Sequence, residues 1–272
     1  MKDEMFNLSG RIIVVTGGLG QLGHQFVSAL VSRGARVAVL DLSDEGKEIE
    51  RRYGTDWDRD GLEFIACDIT SRPSLEAACQ RIEKRWGVPH GLINNAALDS
   101  PPGSSADENG PFETYPEASW DKVMDVNVKG VFLACQVFGG AMARQGRGAI
   151  INVSSIYGMV SPDQGLYQYR RDRGEVFFKP VAYSASKSAL FNLTRYLAVY
   201  WGPRNVRVNT ATFAGMFNNQ DKEFLNRYTS KVPLGRMADE KDYNGAIIFL
   251  LSDASAYMTG SNLILDGGFT SM

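Results

Sequence analysis

Arg11-Ile12-Ile13-Val14-Val15-Thr16-Gly17-Gly18-Leu19-Gly20-Gln21-Leu22-Gly23 is the stretch on which the fold turns. Its first half is a short, nearly continuous apolar run, which is how a strand buried on both faces of a parallel sheet reads. The run stops at glycines, and Phe26, Ala29, Leu30 and Val31 follow in a helical stretch. A glycine-rich turn between a buried strand and a helix brings backbone N–H groups and a helix N-terminus within reach of a pyrophosphate. A bare tight turn would look the same, so the neighbouring strands have to decide.

Arg36-Val37-Ala38-Val39-Leu40 is again apolar and ends in Asp41, at the offset where a dinucleotide-binding unit sets a carboxylate on the adenosine ribose. An aspartate there accepts from a 2′-hydroxyl and repels a 2′-phosphate. NAD is therefore expected rather than NADP, and Gly18 and Leu42 add no cation. The competing reading of Asp41 is a turn residue or helix cap. Further strands are expected at Leu62–Cys67, running into Asp68, and at Gly91–Asn95, Gly148–Ser155, Asn205–Ala211 and Ser261–Leu265. Helical periodicity occupies 73–86, 118–144, 217–231 and 239–251, with another helix starting near Tyr183. This alternation predicts an α/β fold: a Rossmann-type doubly wound parallel sheet of about seven strands, helices on both faces, one domain over 1–272. Ligands in such sheets bind beyond the carboxyl ends of the strands, where Gly17, Asp41, Asp68 and Asn95 all fall. The loop from Leu98 to Glu117, rich in Pro, Ser, Gly and acid, is long enough to be functional or mobile.

Composition excludes several classes. With 272 residues, 44% of them hydrophobic, the chain can bury a large core without staples. A formal net charge of -2 and a pI near 5.8 give no broad attraction to nucleic acid or anionic membrane. Met1-Lys2-Asp3-Glu4-Met5 does not resemble a signal peptide, and no run suggests a membrane span of roughly 20 apolar residues. Cys67, Cys79 and Cys135 are odd in number and scattered, as buried thiols in a reducing cytoplasm would be. His24 and His90 stand apart from other ligand types, so no metal site is expected. Trp120, Phe132, Phe138, Phe191, Tyr196 and Tyr200 read as core.

Tyr183-Ser184-Ala185-Ser186-Lys187 opens the helix expected near Tyr183. Residues four apart share a helix face, so phenol and ammonium can address one small volume and together form an acid/base catalyst. Chance alone can produce that spacing. However, Thr16-Gly17, Asp41, Asp68-Ile69, Asn94-Asn95-Ala96, Asn127, Ser154-Ser155, Tyr183-x-x-x-Lys187, Val206-Arg207-Val208-Asn209 and Leu265-Asp266-Gly267-Gly268 follow one another in an order that resembles the short-chain dehydrogenase/reductase family. The resemblance spans essentially the whole chain. It implies an NAD-dependent oxidoreductase acting on a secondary alcohol or ketone, cytoplasmic, forming a homodimer or homotetramer through the two long helices. It further implies a catalytic tetrad: Tyr183 as general acid/base, Lys187 lowering its pKa and holding the ribose, Ser155 (or, less in keeping with Gly158, Ser154) on the substrate oxygen, and Asn127 in a proton relay at a helix distortion. Cofactor contacts would come from Gly17, Gln21, Leu22, Asp41, Asp68, Ile69, Asn95, Ala97, Tyr183, Lys187, Phe213 and Met216.

Three departures stand out. Gly17, Gly20 and Gly23 with Gln21 between give a spacing more typical of nucleotide-sugar epimerases and dehydratases, although the chain is too short for their added domain. Ala97 replaces glycine, and Thr212-Phe213-Ala214-Gly215 stands where the family carries Ser-Pro-Gly. That last change leaves room for a catalytically silent NAD-binding relative. The segment 156–180 is longer than usual and holds Tyr157, Gln164, Tyr167, Tyr169, Arg170, Arg171, Arg173, Phe177 and Phe178. Its arginines beside aromatics fit an anionic or sugar-linked substrate; they fit a solvated excursion or subunit contact equally well. Ser155-Ile156-Tyr157-Gly158, Val160-Ser161-Pro162-Asp163, Tyr196-Leu197-Ala198-Val199-Tyr200 and Val232-Pro233-Leu234-Gly235-Arg236-Met237 are similar to a branch linked to bacterial surface-sugar biosynthesis and flagellin modification.

Overall fold

The computed structural model describes residues 4–55, 60–99 and 106–272. Much of the N-terminal segment and part of the Leu98–Glu117 loop, discussed above, lie outside the described residues. Seven strands, β1 (Ile12–Thr16), β2 (Arg36–Asp41), β3 (Leu62–Ala66), β4 (Gly91–Asn94), β5 (Gly148–Ser155), β6 (Val206–Phe213) and β7 (Asn262–Leu265), form one sheet in the order β3-β2-β1-β4-β5-β6-β7. Every pairing is parallel. The order reverses between β1 and β4, the crevice where open α/β sheets take ligands.

Both faces of the sheet are covered. One buried cluster joins β1, β2 and β4 to the helices Arg72–Arg85, Glu117–Gln145 and Val181–Trp201 through Leu75, Ile82, Phe138, Leu190 and Leu197. The other joins the opposite sheet face to Gln21–Val31 and Asn244–Leu251 through Phe26, Leu30, Ile247 and Leu251. Continuous apolar strands are the consequence, since neither face sees water.

The differences from expectation are local. A short helix, Gly46–Tyr53, fills the β2–β3 crossover; of its residues only Ile49 is buried, too little apolar signal to read. The last helix begins at Asn244 because the preceding turn is held by Asp242, which accepts from the Asp239 N–H at 2.7 Å and pairs with Arg236. Glu117–Gln145 is long and apolar enough to cross a membrane by composition, contrary to expectation, but 61% of its apolar window is buried against the sheet. It is a core helix. Two π-turns interrupt it, and the first, Asp125–Gly130, contains Asn127 and Gly130, the residues expected to distort it. Phe132, Tyr196 and Tyr200, read above as core, are exposed.

Gly23 shows how tightly the first turn packs. A Cβ there would stand 2.1 Å from the Gly17 carbonyl oxygen and 2.7 Å from the Gly18 Cα. Both obstacles are backbone and cannot rotate away. Gly23→Ala should therefore cost about 3 kcal/mol of stability, read as a lower urea midpoint; an unchanged midpoint would show that the turn has slack.

Candidate active site

A cavity of about 1020 Å³ runs along the carboxyl ends of the central strands. At one end it is lined by Gly17, Gln21, Leu22, Asp41, Asp68 and Ile69, and at the other by Ser155, Tyr183, Lys187 and part of the 156–180 segment. Asn95, Ala97, Phe213 and Met216 line the stretch between.

The glycine turn is braced from β4. The Asn95 amide donates to the carbonyls of Thr16 and Gly17 at 3.0 and 3.1 Å, while Thr16 Oγ1 accepts from the N–H groups of Asn95 and Ala96. Gly17 has φ +65°, and a Cβ there would lie 2.8 Å from the Ala96 Cα. These are the bare, close-packed backbone surfaces a pyrophosphate needs. Asp41 accepts from the N–H groups of Leu19 and Leu42, both at 2.9 Å, one on each carboxylate oxygen. Each oxygen keeps acceptor capacity for a ribose hydroxyl. Asp68 caps its own turn, accepting from Thr70 through one oxygen. Arg52 and Glu48 also border this end, so a cation does stand near Asp41, outside the two positions weighed from sequence.

At the other end the two serines divide. Ser154 Oγ donates to the Lys187 carbonyl at 2.9 Å and is buried against the Tyr183 helix. Ser155 sits at the cavity with Tyr183, accepting from the Tyr157 N–H at 3.2 Å. Burial, and secondarily the Asp99 carboxylate, push the Tyr183 phenol well above its usual range, against the opposing pull of Ser155. Lys187 Nζ donates to the Val153 carbonyl at 2.9 Å and lies 5.9 Å from the Tyr183 ring centre. Burial lowers its pKa to about 8, with Asp99 acting in the opposite direction. The side chain of Asn127 is fully engaged: its amide accepts from Leu98 N at 2.7 Å and donates to Leu98 O and Ser186 Oγ. It clamps the chain just before Asp99.

The 156–180 segment packs as a unit. Leu166, Tyr167 and Phe177 form a third buried cluster with Tyr228, Val232 and Met237. Its arginines hold it in place. Arg171 donates to the carbonyls of Gln164 and Phe177, and Arg173 pairs with Glu223. Arg170 lines the cavity, paired with Glu175 and stacked over Phe177. Each guanidinium expected to meet an anionic substrate already has a protein partner.

The family model described as enoyl-(acyl carrier protein) reductase matches residues 20–270. The D-threitol dehydrogenase of Mycolicibacterium smegmatis is 32% identical over 274 residues, covering 98% of this chain and 96% of that protein. The chain belongs to the short-chain dehydrogenase/reductase family. An NAD-dependent glycerol dehydrogenase of Listeria innocua is 29% identical, with 98% and 97% covered. A short-chain dehydrogenase from Leptospira borgpetersenii, solved with bound NAD+, superposes with a TM-score of 0.85 at 32% identity, covering 99% of this chain and 96% of that one.

In this short-chain dehydrogenase the unusual Thr212-Phe213-Ala214-Gly215 loop is well supported. β6 runs on through Phe213, which stacks on Tyr243 at 4.2 Å. Tyr243 donates its hydroxyl to the Ala214 carbonyl, and Tyr228 accepts from the Gly215 N–H. Neither tyrosine was singled out from sequence, nor was Lys179 or Asp99. Their partners lie far away along the chain, and only folding brings them together.

Proposed function

We propose an NAD-dependent dehydrogenase that moves hydride between nicotinamide and a secondary alcohol of a neutral polyol or sugar. The observation that carries this reading is charge balance at the substrate end. Arg170 and Lys179, the cations of the 156–180 segment that face the cavity, are each paired with a carboxylate, Glu175 and Asp99. Such a site favours hydroxyls over a net anion. Relatives named for threitol and glycerol act on substrates of this kind.

Gly17, Gln21 and Leu22 would hold the pyrophosphate, Asp41 the ribose, Asp68 and Ile69 the adenine, and Asn95, Ala97, Phe213 and Met216 the nicotinamide half. NAD, when bound, supplies the hydride acceptor and a positive charge. Tyr183 takes the alcohol proton at its phenol oxygen, Ser155 holds the substrate oxygen, and Lys187 places charge beside the phenol and meets the ribose. Asn127 acts through Leu98 as a positioning residue. Exposed Phe132, Tyr196, Val199 and Tyr200 on the two long helices support a homodimer or homotetramer, and three buried free thiols support a cytoplasmic setting. The similarity of segments 160–163 and 232–237 to the branch linked to bacterial surface-sugar biosynthesis supports a sugar derivative as substrate.

The direct test is absorbance of NADH formed from NAD with threitol, arabinitol, xylitol and glycerol. No turnover on any of them, with NAD still bound, would favour the silent relative. Cofactor choice has its own test. Asp41→Ser combined with Leu42→Arg should shift the kcat/KM ratio of NAD to NADP about 100-fold toward NADP. A ratio that stays put would place the ribose elsewhere.

A further inference from the structure

Lys179 lies four residues before Tyr183, at the end of the 156–180 segment. Its side chain is 8% exposed, forms an ion pair with Asp99, and sets Nζ 4.8 Å from the Tyr183 ring centre. Both residues line the cavity. Long, flexible lysines are rarely buried without a reason, and here two separate devices hold the pair in place. The Gln164 amide grips the Lys179 backbone from both sides, accepting from its N–H at 2.9 Å and donating to its carbonyl at 3.1 Å. The Asn127 amide grips Leu98, the neighbour of Asp99, in the same two-sided way. An element of the tetrad and an element of the inserted segment therefore aim opposite charges at one spot beside the reactive phenol.

We propose that Lys179 and Asp99 form a specificity site that reads the hydroxyl next to the reacting carbinol. A hydroxyl both donates and accepts. It can donate to the Asp99 carboxylate while accepting from the Lys179 ammonium, and both bonds are charge-assisted. A substrate with hydrogen at that carbon leaves the two charges to each other and forgoes both charge-assisted bonds, which is the source of the discrimination. The Tyr183 phenol, which receives the proton from the reacting hydroxyl, lies within reach of the same pair. The site thus selects vicinal diols. This inference rests on the dehydrogenase reading above.

The test is a matched pair of substrates, 2,3-butanediol and 2-butanol, which differ by one hydroxyl, assayed with NAD. Wild type should favour the diol by about 100-fold in kcat/KM, and Lys179→Met should cut that ratio by at least about tenfold. Asp99→Asn should cut it likewise, which guards against either variant failing to fold; NAD affinity checks the fold of each. If both substrates lose rate in parallel, the pair merely anchors the segment and the proposal is overturned. A wild type without diol preference overturns it too. Turnover of neither substrate overturns this inference alone if threitol is still oxidised, and overturns the dehydrogenase reading with it if threitol is not; turnover of both with an unmoved ratio overturns this inference alone.

Discussion

Tyr183→Phe should lose about 10²–10⁴-fold in kcat for polyol oxidation, the range ascribed to a positioned general acid or base. The reason lies in what surrounds the hydroxyl. Burial and Asp99 raise the phenol above its ordinary pKa of 10, so the protein alone does not make it a ready base. The Lys187 ammonium lies 5.9 Å from the ring centre, and a cation at about 4–6 Å is worth roughly 3–4 kcal/mol at an effective dielectric of about 20. The bound cofactor's charge would add to it. Two consequences follow for the pH dependence. Alcohol oxidation should accelerate as pH rises from 7 toward 8 and gain little above that, because the Lys187 ammonium that favours the phenolate itself gives up its proton near pH 8. The Phe variant should lose that slope along with its rate. A variant that keeps a tenth of wild-type turnover would show that another group takes the proton.

The strands and the catalytic spacing were legible because they are local. A run such as Ile12–Val15 carries its own burial signal, and Tyr183 and Lys187 share a helix face by arithmetic alone. The distortion at Asn127 was legible for the same reason, since Asn and Gly within a helix cost propensity wherever they occur. What the sequence hid depends on distant partners. Arg170, Arg171 and Arg173 fit either an anionic substrate or a solvated or subunit-facing surface, and only the fold shows Glu175, Glu223 and two backbone carbonyls already holding them. Lys179 and Asp99 are 80 positions apart and carry no pattern that links them. Tyr196 and Tyr200 share an apolar helix face, but periodicity cannot say whether the sheet or another surface covers it. The Thr212–Gly215 departure raised doubt about activity; Tyr228 and Tyr243, from elsewhere in the chain, supply the bonds that fix that loop.

Lys187→Met should separate stability from function. Lys187 is 4% exposed, and burial lowers its pKa from 10.5 to about 8. Between those two values the unfolded chain binds more protons than the folded one, so wild-type stability rises with pH across that window. Below pH 8 the folded state bears the full cost of a buried charge. Met fills the space without the charge and removes the titration. Comparing the two proteins by urea unfolding, wild type should gain on the order of 3 kcal/mol relative to the variant between pH 7 and pH 10.5. The Val153 carbonyl loses a donor in the variant, which costs about 1–3 kcal/mol at every pH and leaves the slope untouched. Activity should move the opposite way, falling at least about 100-fold at pH 7 because the phenol loses its nearby cation. A pH-independent difference in stability would mean that Lys187 is fully charged in the folded protein throughout, held by a compensating carboxylate. Asp99 is the acid already acting on it in that direction, so an Asp99→Asn background should then restore the slope.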